Sequence, residues 1–435
     1  MTLSGRFVFL VALGIVPIVV FGPTAEAATG VLGAWLLLVL ALGSLDLALA
    51  ASPRAVTVQR MLPARVRLGE TVTSELYLTN TGRRRLLATV RDAWQPSAGA
   101  GRNRSRVVLG PGERRRIALV LVPLRRGERR VEQVTVRSSG PLGLWSRQAT
   151  LNAPGRIRVL PPFHSRKHLP SRISRLKELD GRTSVMVRGQ GTEFDSLREY
   201  VRGDDVRSID WRATARRNDV MVRTWRPERD RRVVILLDTG RTSAARVNNE
   251  PRLDTAFEAA LLLAALASVA GDRVDFLAFD RRVRGRVQGA SGAALLSQMV
   301  DSMAMIEPEL IEMDWAAVPG QVRSITSQHA LIVVLTSIDA AGASTGLLSV
   351  LSQLTKRHTV VVASVLDPAT VEAATARSGR DEIYRAAAAE RALLDVARVS
   401  AAIRQLGADV LTASPAQLPP ALADRYIALK AAGRL

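Results

Sequence analysis

Hydrophobic and polar positions follow different rhythms along the 435 residues. Two apolar runs, Phe7–Gly22 and Val31–Ala50, are separated by a short stretch whose only charge is Glu26. The second run has the length of a bilayer span, about 20 residues. The first holds Pro17, which a membrane helix tolerates. Together they predict two transmembrane helices in a hairpin over residues 1–52. Arg6, the first run and the small residues of TAEAA also fit a cleaved signal peptide. Under either reading Arg54, Arg60, Arg65 and Arg67 follow the second run. Such charge marks the cytoplasmic side, so the bulk of the chain is expected in the cytoplasm at the inner membrane. Asp46 is costly in lipid and is expected to face the partner helix or to sit at the interface.

From residue 53 to 160 the rhythm shortens. AVTVQRML, TVTSELYLTN, LLATVRDAW, RSRVVLG, RRIALVLVP, RVEQVTVRS and GRIRVLP are separated by turn markers such as Asn80-Thr81-Gly82 and Gly110-Pro111-Gly112. Period-two alternation in runs this short predicts a β-sandwich of immunoglobulin-like kind. Residues 161–231 read as a connector with one short helix, ISRLKEL. From 232 to 435 apolar strands (VVILLD, RVDFLAFD, ALIVVLTS, HTVVVASVLD) alternate with helical segments. That alternation predicts an α/β unit with a doubly wound, mostly parallel sheet, in which ligands bind at the carboxyl ends of the strands. Asp238 is at such an end.

Charge sharpens the picture. The net charge is +21, and there is no cysteine. Disulfides and thiolate metal sites are excluded, and the four histidines show no metal-ligand spacing. Between Ser52 and Leu160 stand 22 arginines and six acids. Beside a membrane, such a block is suited to anionic lipid headgroups. No helix-turn-helix pattern, stacking platform or zinc site accompanies it, which argues against nucleic acid.

The densest charge pattern lies in the connector. Glu193, Asp195, Glu199, Asp204, Asp205 and Asp210 alternate with Arg198, Arg202, Arg207 and Arg212, among the aromatics Phe194, Tyr200 and Trp211. Arginines beside carboxylates hold them ionised, which suits ion pairing better than proton transfer. The segment is therefore read as a structural lattice. Phe194, Tyr200 and Trp211 are expected to anchor it against the α/β unit. Arg198, Asp204, Arg207 and Asp210 are expected to pair with one another or with the backbone, Glu193 to belong to the same lattice, and Gly203 to make the turn. A docking role for one side of the lattice is the sharper alternative.

Three stretches, GQGTEFDSLREYVRGDDVRSIDWRATAR, RPERDRRVVILLDTGRT and SGPLGLWSR (Ser139–Arg147), carry a resemblance. The chain resembles the bacterial domain-of-unknown-function fifty-eight family. The resemblance implies a membrane-anchored protein with a C-terminal unit similar to a von Willebrand factor type A domain. It also implies a partner, a MoxR-type AAA+ ATPase, in a chaperone-like or envelope-related process. Type A domains often hold a divalent cation through an Asp-x-Ser-x-Ser loop, a threonine and a second aspartate. Here Asp238 and Thr242 fit that pattern. Gly240 replaces a serine, Asp314 is the nearest candidate for the second loop, and Ser337 stands where the aspartate belongs, with Asp339 two residues late. A degenerate adhesion site is expected, without a cofactor; any Mg2+ would be weakly held by Asp238 and Thr242. Arg241 would offer a partner a charge beside the cleft. No catalytic motif occurs, so an adaptor is expected rather than an enzyme. The alternative is a metal-dependent hydrolase or nucleic-acid-processing factor using the Asp238 cleft.

Overall fold

The computed structural model describes residues 2–186, 193–202, 204–217, 219–226, 231–248, 250–338 and 341–435. Two compact units divide the chain, Met1–Leu160 and Pro161–Leu435.

The first unit begins with a short strand, β1 (Thr2–Leu3), followed by helices α1 (Gly5–Ala12), α2 (Ile15–Phe21) and α3 (Ala25–Leu49). The first apolar run is thus two short helices rather than one. Pro17 explains the break: it has no N–H to donate to Leu13, and its ring crowds that carbonyl. Ser4 caps α1 by accepting from Phe7 N, and Thr24 caps α3 by accepting from Ala27 N. Trp35 on α3 donates its indole N–H to Leu10 O, tying α3 back to α1. Among the described residues one helix is long and apolar enough to cross a membrane, Ala25–Ala55, with mean hydropathy 2.1.

The strands that follow are β2 (Val56–Met61), β3 (Arg65–Arg67), β4 (Val72–Asn80), β5 (Leu86–Asp92), β6 (Arg104–Leu109), β7 (Arg114–Leu121), β8 (Gly127–Ser139) and β9 (Trp145–Leu160). One sheet runs β1-β9-β8-β5-β6, with β3 added parallel to β9; the other runs β2-β4-β7. Inward side chains of both sheets, among them Leu76, Leu78, Leu86, Val90, Val134 and Val136, share one core. The sequence reading missed β1, β3 and the first half of β9. The three residues of β3 are too few for an alternation to show, and β1 acquires its partner more than 140 positions away in the chain.

Inside this sandwich Arg60 is buried, not solvated. Its guanidinium makes a two-pronged pair with Asp92 at 2.8 Å each, donates to Ser74 and Ala153 O, and lies over the Trp94 ring. Trp94 donates to the same carboxylate. A charge expected to mark the membrane face therefore serves as a core cross-link.

The second unit opens with α4 (Leu169–Met186), an 18-residue helix where a short one was expected. Arg172 and Arg175 on it pair with Asp424 at 2.8 Å each. An antiparallel pair follows, β10 (Glu193–Glu199) and β11 (Met221–Arg226), with α5 (Trp211–Arg217) between them. Next come β12 (Arg232–Asp238), the two-residue strands β13 (Arg246–Val247) and β14 (Glu250–Pro251), and α6 (Arg252–Val269). The remainder is β15 (Arg273–Phe279), β16 (Val283–Val287), α7 (Gly292–Met305), α8 (Val318–Ile325), β17 (Leu331–Leu335), α9 (Ala341–Thr355), β18 (Thr359–Val365), α10 (Pro368–Thr375), α11 (Arg380–Gln405), β19 (Asp409–Ala413) and α12 (Leu418–Ala431).

The main sheet has the order β16-β15-β12-β17-β18-β19, all parallel except the edge strand β16. The strand that comes first in sequence is central, and later strands add to either side of it. This is the doubly wound pattern. β12, β17 and β18 are apolar on both faces because helices cover both. On one face Val234, Leu236, Ile332 and Val362 pack with α8, α9 and the end of α11. On the other lies α6, whose residues are buried nearly all round. The order of strand addition reverses between the parallel neighbours β12 and β17, which places a crevice at their carboxyl ends.

Candidate functional site

Asp238 closes β12 at this crevice, and it is 3% exposed. One carboxylate oxygen accepts from Gly240 N at 2.8 Å; the other accepts from Thr336 Oγ1 at 2.6 Å and Thr242 Oγ1 at 3.2 Å. Burial pushes its pKa up, and the nearby Asp280 charge adds to this. The Thr336, Gly240 and Thr242 hydrogen bonds oppose the shift without cancelling it. Ser243 donates to Asp238 O at 2.6 Å, which fixes the loop after the strand.

Asp280 stands in the equivalent place after β15. It is fully buried and accepts from Thr239 Oγ1, Arg281 N, Arg282 N and Arg284 Nε. Burial alone would raise its pKa. The Arg284 bond, together with those from Arg282, Thr239 and Arg281, more than offsets this and holds it below the usual carboxylate range. The two neighbouring aspartates are thus pushed in opposite directions by their surroundings.

The other residues singled out in the sequence are placed as follows. Gly240 makes a close approach: a Cβ there would meet Ile311 O at 2.8 Å. Arg241 N also donates to Ile311 O, so the loop is clamped against the 309–314 segment, and a serine would not fit without moving backbone. Asp314 is exposed and caps the turn Trp315–Ala317 by accepting from Ala317 N at 3.3 Å. Ser337 accepts from Arg252 Nη1 at 2.6 Å. Arg241 pairs with Glu312, so its charge is already engaged. Asp339 lies outside the described residues. Among the described residues no group of three or more His, Asp or Glu could hold a metal ion. A hard divalent cation takes several oxygen ligands, carboxylates among them. The donors gathered around Asp238 are one carboxylate and neutral hydroxyls, a poor fit to such an ion.

Sequence reasoning missed Thr336, Arg252 and the Thr239–Asp280–Arg284 group. Arg252 borders a cavity of about 120 Å³ with Ser364, Asp367, Thr370 and Thr412 at the ends of β18 and β19. A signal for Asp280 was present: RVDFLAFD ends an apolar strand on aspartate just as VVILLD does.

The charged segment between β10 and β11 folds on itself. Arg198 grips Asp204 through two bonds, 2.7 and 2.6 Å, while Asp204 also accepts from Val201 N. Asp210 caps α5 by accepting from Arg212 N and Ala213 N, and it accepts from Arg223 at 2.8 Å. The Ala213 N–H and the Arg223 guanidinium hold its carboxyl below the usual range. Asp205 accepts from Arg207 N, but the exposed Arg207 guanidinium joins no ion pair among the described residues. Tyr200 is exposed, with its backbone N–H bound to Val220 O. Trp211 is 70% exposed and so cannot be an anchor. It stands at the solvent-facing start of a helix of only seven residues, and the burial in this segment falls on Met221 and Val222 of β11 instead. Glu193 and Phe194 form the start of β10, and their side chains, like Gly203, lie outside the described residues.

In the first unit, Asp46 is fully buried. Its oxygens accept from Leu142 N at 2.8 Å, Leu144 N at 2.7 Å and Trp145 N at 3.2 Å. It neither faces a partner helix nor meets solvent: it holds the SGPLGLWSR loop. Gly140 permits this, since a Cβ there would lie 2.1 Å from Asp46 O. Arg6 donates to Leu142 O and Arg84 to Ala48 O, at the same end of the sandwich.

The doubly wound unit and its switch-point crevice define a class of α/β protein without assigning an activity to it. The family described as "Protein of unknown function DUF58" matches residues 196–409, which takes in the charged segment and the crevice. Uncharacterized proteins of Mycobacterium tuberculosis and Mycobacterium bovis are 29% identical over 248 residues, covering 52% of this chain and 76% of each relative. Among solved structures, the CARDB domain of a Pyrococcus furiosus protein, in complex with di-metal ions, is 20% identical, covering 24% of this chain and 91% of that one, with a TM-score of 0.19. A FixG-related protein from Vibrio parahaemolyticus is 9% identical, covering 24% of this chain and 96% of that one, with a TM-score of 0.17. At such TM-scores neither likeness carries an argument.

Proposed function

We propose that this chain is a membrane-tethered adaptor. It sits in the inner membrane through two spans, with both folded units in the cytoplasm, and grips a protein partner rather than making or breaking bonds. The observation that carries this reading is the way the apolar helices are wired to the sandwich. β1 pairs with β9 at Trp145 and Ser146, and Asp46 near the end of α3 binds the loop that leads into the same strand. Both ends of the hairpin therefore return to one end of the sandwich. Between them, Gly5–Phe21 extends about 25 Å and Ala25–Leu42 about 27 Å at ~1.5 Å per residue. That is near the ~30 Å of a bilayer core. The outer faces are apolar and exposed, at Phe9, Val19, Phe21 and Leu37, as lipid-facing helices require. An N-terminal strand built into the sheet is at odds with cleavage as a signal peptide.

This placement divides the arginines. Arg6, Arg83, Arg84, Arg85 and Arg147 stand at the tethered end, where anionic headgroups attract each by ~1 kcal/mol. Arg129, Arg130, Arg156 and Arg158 stand at the opposite end, where the start of β8 runs beside the end of β9. β8 has 13 residues and spans about 40 Å at ~3.3 Å each. That is several Debye lengths at physiological salt, so lipid accounts for only part of the positive charge.

The α/β unit is similar in strand order to a von Willebrand factor type A domain with a degenerate adhesion site, and the partner is a MoxR-type AAA+ ATPase. Full-length protein in nanodiscs is expected to bind the purified ATPase saturably, and absence of binding would contradict this partner. The second reading is a metal-dependent hydrolase using the Asp238 cleft; it requires Asp238 ionised and joined by further oxygen ligands, which its burial and neutral hydroxyl partners do not favour. Calorimetry with magnesium alone separates the two. Silence supports metal-free docking, and tight binding supports the hydrolase.

A further inference from the structure

We propose that the loop joining β10 to β11 is a docking surface for a protein that presents an apolar pocket rimmed by carboxylates, with Trp211 as the side chain that enters the pocket. The inference deepens the adaptor reading and rests on it. Trp211 at 70%, Val206 at 64% and Val201 at 62% exposed stand on one loop. Large side chains held so far out of a folded surface mark interaction sites, and tryptophan with arginine is the composition of binding hot spots.

The loop is pre-organised. Arg198–Asp204 locks its first turn, Asp210 with Arg223 locks the start of α5, and Tyr200 N and Asp210 N bind Val220 O just before β11 and Met221 O at its start. A surface held rigid before contact loses less entropy on binding. These pairs absorb Asp204 and Asp210, while the exposed Arg202, Arg207, Arg212, Arg216 and Arg217 form no ion pair among the described residues. That excess sets the partner's rim as acidic. Exposed Glu199, Asp205 and Asp219 on the same surface would be repelled by an anionic bilayer. They suit a protein partner of mixed sign.

The test uses full-length protein in its native membranes, with the photo-reactive p-benzoylphenylalanine at Val206 or, as control, at Leu310, which is more exposed still and lies in the same unit. Light is expected to join position 206 to one polypeptide, at an acidic segment with apolar residues, and to give no such adduct at 310. Trp211→Ala and the double variant Arg207→Glu/Arg212→Glu should each cut the adduct at least tenfold with melting temperature unchanged. Arg207→Lys/Arg212→Lys should keep most of it. Lipid adducts alone, adducts to a second copy, no adduct, or an adduct indifferent to these substitutions would each overturn the proposal. If the captured polypeptide is not an AAA+ ATPase, the partner proposed above fails while this surface stands. If the ATPase binds the Trp211→Ala variant undiminished, this surface fails while the adaptor stands.

Discussion

Asp238 carries the clearest tension between stability and use. Its folded pKa lies above the ordinary aspartate value because burial outweighs its hydrogen bonds. The sign follows by linkage. The contribution of this group to folding is fully present below the unfolded pKa and is lost as pH rises through the folded one, so at neutral pH its charge is a cost. Asp238→Asn keeps an acceptor for Gly240 N and removes that charge. It is expected to raise the melting temperature at pH 7, by about 2–4 °C for each kcal/mol regained, and to leave it nearly unchanged at pH 3. A lower melting temperature at pH 7 would show that the ionised form is what the fold requires. In the sandwich the reverse holds. Arg60 and Asp92 are buried and mutually satisfied, and removing one partner strands the other. Arg60→Ala or Asp92→Ala is expected to cost about 3–5 kcal/mol in denaturant unfolding. A cost below about 1 kcal/mol would place the pair among surface bridges. Neither role was legible from residue type. Asp238 was visible as an acid ending an apolar strand, whereas its bond to Thr336 spans 98 positions. Arg60 looked like one of many arginines, because nothing local distinguishes a buried arginine from a solvated one.

At the scale of elements, legibility followed periodicity. VVILLD and ALIVVLTS are continuous apolar runs, and they became β12 and β17 at the centre of the sheet. α9, drawn from AGASTGLLSVLSQLT, escaped notice because glycine, serine and threonine blur a 3.6-residue pattern. The alternation in the sandwich predicted most strands, but the cross-over of β1 onto β9 lies beyond any local window. The charged lattice was half legible. Its ion pairs involve near neighbours in sequence, such as Arg198 and Asp204, but the exposure of Trp211 depends on how short α5 is and on what β11 buries. The joint between α3 and the Ser139–Arg147 loop gives a test at this scale. Asp46→Ala leaves the N–H groups of Leu142, Leu144 and Trp145 without their acceptor; the Leu144 one is buried, and such a loss costs about 1–3 kcal/mol. Gly140→Ala drives a methyl into Asp46 O, a backbone atom. Both variants are expected to make the 139–147 loop protease-sensitive in nanodiscs while the Pro161–Leu435 unit melts as before. A loop that stays resistant in both would mean that the joint is held by other contacts.

For the molecule as a whole, the reading proposed above is a tether and a grip. The tether is an apolar hairpin pinned at both ends to a sandwich, and the grip is a doubly wound unit with a preformed charged loop. The proposed binding role agrees with how four aspartates of the loop and the crevice are engaged. Asp204 and Asp210 hold the loop, Asp280 is neutralised by Arg284, and Asp238 is saturated by hydroxyls and an N–H. The most direct test of the tether uses a chemical convenience, the absence of native cysteine. Single cysteines at Thr2, at Thr24 between α2 and α3, and at Gly112 in the sandwich are exposed to a membrane-impermeant maleimide on intact spheroplasts. Labelling at position 24, with protection at 2 and 112 until the membrane is permeabilised, is the predicted result. Labelling at 2 without permeabilisation, or loss of the N-terminal cysteine by cleavage, would contradict a hairpin whose two ends return to the same sandwich.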